Sequence, residues 1–221
     1  MEKKHDTEAP KTKGLTIWWA GVYDFLSSTL FRLMGEKISI AEVALEQAQL
    51  SPGNKVLDVG CGTGTMALAA KLQVGSTGEV YGIDAAPQMV KVARNKAANA
   101  GSDVDFQVGV VEGMAFPDNH FDVVLSSLMV HHLPGDDLKQ KAFAEIHRVL
   151  KPGGRLLVVD FEQPTGTQYN LLVKFLLGHM KEHNDIKKLS QMLESVGFTN
   201  VETGRTASRI LSFVRGEARK G

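Results

Sequence analysis

The chain alternates between short apolar runs and longer stretches in which apolar residues recur with helical spacing. The short runs are rich in Val, Ile and Leu and predict buried strands at 56–59, 79–84, 104–108, 121–127 and 155–160. Between them, Pro87 opens a helix that Gly101 closes, and an amphipathic helix is predicted over 136–150. Strands that alternate with helices are typical of a largely parallel sheet with helices on its faces, so the pattern predicts an α/β fold.

Outside this region the pattern differs at both ends of the chain. Residues 1–14 are polar and charged and are predicted to form a disordered tail. Residues 15–50 contain both tryptophans and predict a helical cap, which either packs on the domain or acts as a lid or a membrane contact. An apolar stretch within 165–183 predicts a lid helix, and a further helix is predicted over 186–196. Residues 15–221 together are predicted to form one domain.

The composition is that of a globular protein, with 43% hydrophobic and 23% charged residues among 221. Basic and acidic residues number 25 each, so the formal net charge of zero argues against a broad nucleic-acid-binding surface. The single cysteine, Cys61, excludes an internal disulfide and favours a reducing compartment. We find no signal peptide and no stretch that spans a bilayer, so a cytoplasmic location is expected.

A glycine-rich loop follows the first predicted strand. The stretch KVLDVGCGTGTMALAA is interpreted as strand, loop and helix, with the loop at Gly60–Gly64. Glycines let the backbone approach a ligand closely, and the free N–H groups at the start of the next helix favour a carboxylate or phosphate. The spacing departs from the dinucleotide fingerprint G-x-G-x-x-G/A, because Thr65 occupies its last position. The loop therefore predicts a cofactor, and disfavours a dinucleotide.

The second predicted strand ends in an acid, Asp84. A carboxylate at the end of that strand can accept hydrogen bonds from both hydroxyls of a ribose, which favours an adenosine-type ligand. The same arrangement occurs in NAD-binding folds, and acids also end strands where no ligand binds. Asp84 alone therefore does not indicate which reaction the protein performs.

Asp58 and the glycines at 60, 62 and 64 resemble motif I of the class I S-adenosylmethionine-dependent methyltransferases. Later segments that resemble this family follow in its order: GVVEGMAFPD at 109–118, LMVHHL at 128–133 and HRVLKPGGRLLVVDF at 147–161. The chain is similar in particular to the ubiquinone/menaquinone C-methyltransferases and related lipid methyltransferases. This resemblance implies a doubly wound, Rossmann-like sheet of seven strands, mostly parallel with an antiparallel last strand, and an N-terminal helical cap.

The resemblance also implies S-adenosylmethionine as the cofactor and S-adenosylhomocysteine as its product. Asp58 and the glycine loop would hold the methionine part, Asp84 the ribose, and residues 111–113 with Met89 the adenine. Val110 stands where the family usually has an aspartate, so the usual side-chain acceptor for the adenine amino group is missing. The predicted cofactor-binding residues are Asp58, Gly60, Cys61, Gly62, Thr63, Gly64, Asp84, Ala85, Met89, Val111, Glu112, Gly113 and Ser126.

Three residues are candidates for positioning the acceptor or removing a proton: Tyr23, His131 and Asp160. Tyr23 belongs to a Tyr-Asp pair that resembles one near the amino end of the related C-methyltransferases. His131 lies after the fourth strand, where the transferred methyl group is expected, and His131 and its neighbour His132 cannot both point inward. A base is optional, because some nucleophiles arrive already competent.

The predicted reaction is transfer of a methyl group to a small, hydrophobic or lipid-like acceptor, because the segments at 15–50 and 165–183 are rich in apolar residues. No metal is expected, since His179 and His183 lack the H-E-x-x-H order of metalloproteases. Two alternatives stay open at this point. One is a cofactor-binding partner protein without catalysis, for which the departure at Val110 argues. The other is an NAD-dependent oxidoreductase, against which Thr65 argues.

Overall fold

The structure of the chain is a computed structural model that describes residues 40–161, 185–208 and 211–219. Its strands are β1 (Lys55–Val59), β2 (Glu79–Asp84), β3 (Asp105–Val108), β4 (Phe121–Ser127), β5 (Leu150–Phe161), β6 (Phe198–Arg205) and β7 (Leu211–Ala218). The α-helices of these residues are α1 (Ile40–Ala48), α2 (Thr65–Val74), α3 (Pro87–Asn99), α4 (Asp136–Val149) and α5 (Ile186–Ser195). A 3-10 turn, Val130–His132, follows β4.

The seven strands form one sheet in the order β3-β2-β1-β4-β5-β7-β6. Strands β1 to β5 pair in parallel, whereas β7 is antiparallel to both β5 and β6. The predicted seven-stranded, mostly parallel sheet is therefore confirmed. Chain order reverses between β1 and β4, and sheets of this kind bind ligands at the carboxyl ends of the strands beside that reversal.

Helices cover both faces of the sheet, because its central strands are apolar on both sides. On one face, α1, α2 and α3 pack against side chains that include Val56 and Leu125. On the other face, α4 and α5 pack against side chains that include Leu57 and Val158. The packing on both faces holds the carboxyl ends of the central strands in a fixed arrangement.

One strand begins earlier than the sequence predicts. The sequence indicates a sharp turn at 151–154, whereas β5 already begins at Leu150. Leu150 pairs with Phe121 on β4, and the next pair joins Arg155 to Val123. The residues between these two pairs bulge out of the ladder, and the strand continues where the composition alone indicates a turn.

Several predicted segments lie outside the described residues. They are the tail at 1–14, the lid helix within 165–183 and the part of the helical cap that precedes Ile40. Helix α1 is the described part of that cap, and it packs against α2 and the sheet. Among the helices that the structure describes, none is long and apolar enough to cross a membrane.

Substituting Leu193→Ala on α5 is expected to lower the free energy of unfolding by about 3 kcal/mol, because removing a fully buried side chain leaves a cavity. The matched control is Leu72→Ala on α2, where the side chain is 86% exposed. The control should change stability by less than about 0.5 kcal/mol. Urea unfolding measures both variants. Equal losses would contradict the burial of α5 against the sheet.

Candidate active site

The glycine loop between β1 and α2 leaves open space at Gly62. Gly60, Gly62 and Gly64 adopt positive φ angles of 69°, 52° and 82°. A Cβ at Gly60 would overlap the side chain of Met129, so the loop packs closely on that residue. A Cβ at Gly62 would meet no atom within 4 Å. The loop is therefore packed against the protein at Gly60 and leaves room for a ligand at Gly62.

The Asp84 carboxylate joins the glycine loop to the turn between β2 and α3, in which Ala85 lies. The N–H of Gly62 donates to Asp84 Oδ2 at 2.9 Å, and the N–H of Ala86 donates to Oδ1 at 2.8 Å. The pKa of Asp84 is raised, because the effect of burial exceeds that of these two hydrogen bonds, which lower it. Each carboxylate oxygen has a second lone pair, so Asp84 keeps the capacity to accept from the hydroxyls of a ribose.

Asp58 is a buried acid on β1 with an unsatisfied oxygen. Its Oδ2 has no hydrogen-bond partner among the described residues. Burial, and then the negative charge of Asp84, raise the pKa of Asp58 to about 7, although the N–H of Ala67 lowers it. A nearby cation stabilises such a carboxylate, and the ammonium of a methionine group carries that charge. Ser126, on the neighbouring β4, is also buried, and its Oγ has no partner in the described part of the chain.

Three further predicted cofactor residues are buried near the glycine loop and the start of α3. Burial raises the pKa of the Cys61 thiol, so this cysteine lacks the thiolate character of a reactive residue. Thr63 accepts a hydrogen bond from Lys96 Nζ at 3.0 Å. Met89 packs against Ala86 at the start of α3. Cys61 and Thr63 are therefore buried residues of the loop itself, whereas Met89 belongs to the packing at the start of α3.

The loop between β3 and β4 follows the carboxyl end of β3 and carries the segment predicted to contact adenine. Its first residue is Gly109, whose N–H donates to the carbonyl oxygen of Asp84 at 3.0 Å. Val111 is buried in the core, and Glu112 is half-buried. A Cβ at Gly113 would meet no atom within 4 Å. The segment is therefore anchored in the core at Val111 and open at Gly113.

His131 and Asp160 form a buried pair at the carboxyl ends of β4 and β5. His131 Nδ1 lies 2.7 Å from Asp160 Oδ1. The same carboxylate accepts the backbone N–H of His131 at 3.1 Å and that of Phe161 at 2.8 Å. Because Asp160 Oδ1 faces the ring, Nδ1 is assigned as the donor of this hydrogen bond, which leaves the lone pair on His131 Nε2. The pair can therefore take up a proton at Nε2.

His132 lies next to this pair. Its ring centroid is 4.0 Å from that of His131, and it is less buried than His131. Burial, and then the neighbouring His131, lower the pKa of His132 to about 4, although Asp160 raises it. His132 is therefore neutral at pH 7, and His131 is the histidine with a buried acid as its partner.

The third catalytic candidate, Tyr23, lies outside the described residues. Within the described ranges, no group of three or more His, Cys, Asp or Glu side chains is placed to hold a metal ion.

Sequence reasoning missed Lys96, which contacts the glycine loop from α3, and the pair Glu145 and Arg148, which contacts the β3–β4 loop from α4. Each of these contacts joins two different elements of the fold, which a local sequence pattern does not reveal. The HRVLKPGG run, which contains Arg148, was the one sequence signal that could have pointed to these residues.

Comparison with known proteins identifies the family. Residues 56–154 match the methyltransferase domain family. The ubiquinone/menaquinone biosynthesis C-methyltransferase UbiE of Hydrogenovibrio crunogenus is 31% identical, with 96% of this chain and 91% of that protein covered. UbiE of Shewanella pealeana is also 31% identical, with 97% and 92% covered. This chain belongs to the UbiE-like methyltransferases.

The fold of this methyltransferase agrees with that membership. A SAM-dependent methyltransferase from Aquifex aeolicus superimposes with a TM-score of 0.69 at 21% identity, covering 92% of this chain and 100% of the other. The chain is thus an enzyme that uses S-adenosylmethionine. Neither an NAD-dependent oxidoreductase nor a partner protein without catalysis fits this family.

The raised pKa of Asp58 predicts that its contribution to stability is lost as the pH rises. Between the usual value of 3.8 and about 7, the folded chain holds a proton that the unfolded chain lacks. The free energy of unfolding of the wild type, minus that of Asp58→Asn, should fall across this range by up to about 1.4 kcal/mol per pH unit. Urea unfolding of both proteins at several pH values gives the difference. A difference that stays flat, or rises with pH, would contradict the raised pKa.

Proposed function

We propose that this enzyme methylates a ring carbon of a small, hydrophobic, quinone-type acceptor, with His131 as the base that removes a proton. Its UbiE relatives are named for C-methylation in ubiquinone and menaquinone biosynthesis. The observation that carries the proposal is the buried His131–Asp160 pair at the carboxyl ends of β4 and β5. A thiolate acceptor needs no such base, whereas a ring carbon becomes a strong nucleophile when a hydroxyl on the ring loses its proton.

The residues at the carboxyl edge of the sheet fit S-adenosylmethionine. Asp58, with its unpartnered oxygen, would hold the ammonium of the methionine part, and Asp84 would hold the ribose hydroxyls. Residues 111–113 and Met89 would contact the adenine. The open space at Gly62 gives the backbone room to approach the ligand. Bound in this way, the cofactor supplies a methyl carbon attached to a positively charged sulfur.

The chain itself orients His131 and holds a proton. Asp160 accepts from His131 Nδ1, so Nε2 is the atom that takes the hydroxyl proton of the acceptor. The adjacent carboxylate stabilises the imidazolium that results. Once the methyl carbon has left the sulfur and bonded to the ring carbon, that carbon loses its own hydrogen as a proton, and the imidazolium can return its proton to the ring oxygen. His132 is neutral at pH 7, so its charge does not oppose this protonation. The pair is therefore suited to an acceptor that arrives protonated.

An apolar acceptor also agrees with the composition of the chain. The segments at 15–50 and 165–183 combine many apolar and aromatic residues. We propose that they cover a hydrophobic acceptor and keep water away from the reacting atoms. With a lipid-like acceptor, the aromatic segment at 15–50 would also contact a membrane surface.

Gly62→Ala tests the place of the cofactor, and Gly101→Ala, just after α3, is its matched control. Both glycines have positive φ angles, 52° and 60°, and a Cβ at either would meet no atom within 4 Å. Both substitutions should therefore lower stability similarly, by about 1 kcal/mol. Only Gly62→Ala should weaken S-adenosylhomocysteine binding, by about tenfold or more, because its methyl group occupies ligand space. Isothermal titration calorimetry measures the affinities. Equal affinities for the two variants would place the ligand elsewhere.

His131→Gln and Asp160→Asn test the base. Each is expected to lower kcat by about 10²- to 10⁴-fold on a prenylated hydroquinone acceptor, because proton removal becomes unassisted. Binding of S-adenosylhomocysteine should stay close to that of the wild type. His132→Gln is the control, since it changes the neighbouring ring and leaves the His131–Asp160 pair intact.

A pH profile separates a base from a structural role. For His131→Gln, activity should recover as the pH rises towards the pKa of the acceptor hydroxyl, and it should recover earlier with a more acidic hydroquinone. The wild type should not show this recovery. A uniform loss at every pH, or no loss at all, would be inconsistent with His131 as the base.

A further inference from the structure

The loop between β3 and β4 is held from one side by two charged residues on α4. The loop spans residues 109–120 and has no helix or strand of its own. The two residues are Glu145 and Arg148, which are joined by hydrogen bonds from Arg148 Nε to Oε1 and from Nη2 to Oε2, both at 2.9 Å. A guanidinium that meets a carboxylate at two points has a defined geometry. The Glu145–Arg148 pair is therefore a rigid anchor to which the loop can bind.

Arg148 contacts the loop at every second residue. Its Nη2 donates to the carbonyl oxygen of Met114 at 3.0 Å. Its Nη1 donates to the carbonyl oxygen of Phe116 at 2.8 Å and to Asp118 Oδ1 at 2.7 Å. Glu145 takes part as well, since its Oε2 accepts the N–H of Met114 at 2.9 Å. Both backbone polar groups of Met114 are thus bound to α4.

The ends of the loop are fixed by backbone hydrogen bonds. At its start, the N–H of Gly109 donates to the carbonyl oxygen of Asp84 at 3.0 Å. At its end, the N–H of His120 donates to the carbonyl oxygen of Val149 at 2.8 Å. Helix α4 is itself held against the sheet by buried side chains such as Phe143. The Glu145–Arg148 pair therefore fixes the middle of a loop whose ends are already tied.

The segment expected at the adenine, residues 111–113, lies directly before Met114. Val110 replaces the aspartate that the family usually offers to the adenine amino group, so this position has no side-chain acceptor. The adenine must then be held by hydrogen bonds to backbone groups and by close packing. Both depend on the segment being held within a fraction of an ångström of its binding position. Met114 is the point at which α4 fixes it.

We propose that Glu145 and Arg148 are positioning residues for the adenine of the bound cofactor, and that they act through Met114. The inference rests on the proposed cofactor site at the carboxyl edge of the sheet. Helix α4 then controls how the adenine is held, although its sequence gave no sign of a part in cofactor binding. Loss of the pair should weaken binding of the base selectively and leave the rest of the ligand bound as before.

The test compares two ligands, S-adenosylhomocysteine and S-ribosylhomocysteine, which lacks the base. For Arg148→Ala, the dissociation constant of S-adenosylhomocysteine should rise about tenfold or more, whereas that of S-ribosylhomocysteine should change by less than about twofold. Arg148→Lys and Glu145→Gln should show smaller losses of the same kind, because each keeps part of the contacts to Met114. They also carry the test if Arg148→Ala does not fold. Calorimetric titration and ligand-observed NMR measure the dissociation constants of both ligands.

Arg215→Ala is the matched control. Arg215 on β7 also pairs its guanidinium with a carboxylate, that of Glu202 on β6, and its side chain is 29% exposed against 30% for Arg148. It lies two strands beyond β4, at the β7–β6 side of the sheet. Its removal should leave both dissociation constants unchanged. The midpoint of thermal unfolding is recorded for every variant to compare their stability.

The outcomes separate the two proposals. If the wild type binds neither ligand, the proposed cofactor site is wrong, and this inference falls with it. If the wild type binds both and the Arg148 and Glu145 variants lose both ligands equally, or lose neither, the positioning role is wrong and the cofactor site stands. Selective loss of the ligand that carries the base supports both proposals.

Discussion

A carboxyl group buried at the end of a strand must either be given hydrogen-bond donors or keep its proton, and this constraint shapes the active site. Asp160 accepts the backbone N–H groups of His131 and Phe161 and lies against the His131 ring. Asp84 receives two N–H groups and is only partly satisfied. Asp58 has an oxygen without a partner among the described residues, and its pKa rises to about 7. Asp58, the least satisfied of the three acids, is the one expected to meet the ammonium of the cofactor's methionine part.

The sheet explains why these acids differ. Asp58 lies in register with Gly82 on β2 and Leu125 on β4, and neither neighbour has a side chain that can donate a hydrogen bond. Asp160 comes at the end of β5, where the 3-10 turn after β4 brings His131 against it. Strand register thus sets which hydrogen-bond donors each acid can reach. In the function we propose, Asp58 meets the cation of the cofactor and Asp160 supports the base.

Local patterns were enough to predict most of the fold. Strands β2 and β4 have the bounds that their apolar runs indicate, because a buried strand between turn residues leaves a clear pattern in the sequence. The early start of β5 was missed, since a bulge depends on which residues of β4 it faces. The lid helix within 165–183 and the part of the cap that precedes Ile40 are compositional predictions that lie outside the described residues.

The candidate site was predictable residue by residue and not as an arrangement. His131 and Asp160 were each identified from their segments, but they are 29 positions apart and nothing in the sequence indicates that they pair. Arg148 binds mainly backbone carbonyl oxygens of another element, and backbone acceptors are present at every residue. Contacts of this kind have no sequence signature. The structure was needed to connect α4 with the β3–β4 loop.

The place of β7 has a consequence for synthesis of the chain. This strand comes last among the described strands, yet it lies inside the sheet between β5 and β6. While β7 is still in the ribosome, β5 has an unpaired edge and β6 lacks the strand with which it pairs. Nascent chains therefore expose hydrogen-bonding edges to one another until residues 211–218 have left the ribosome. The sheet is completed only at that point, and chains that are stalled or shortened before these residues should aggregate.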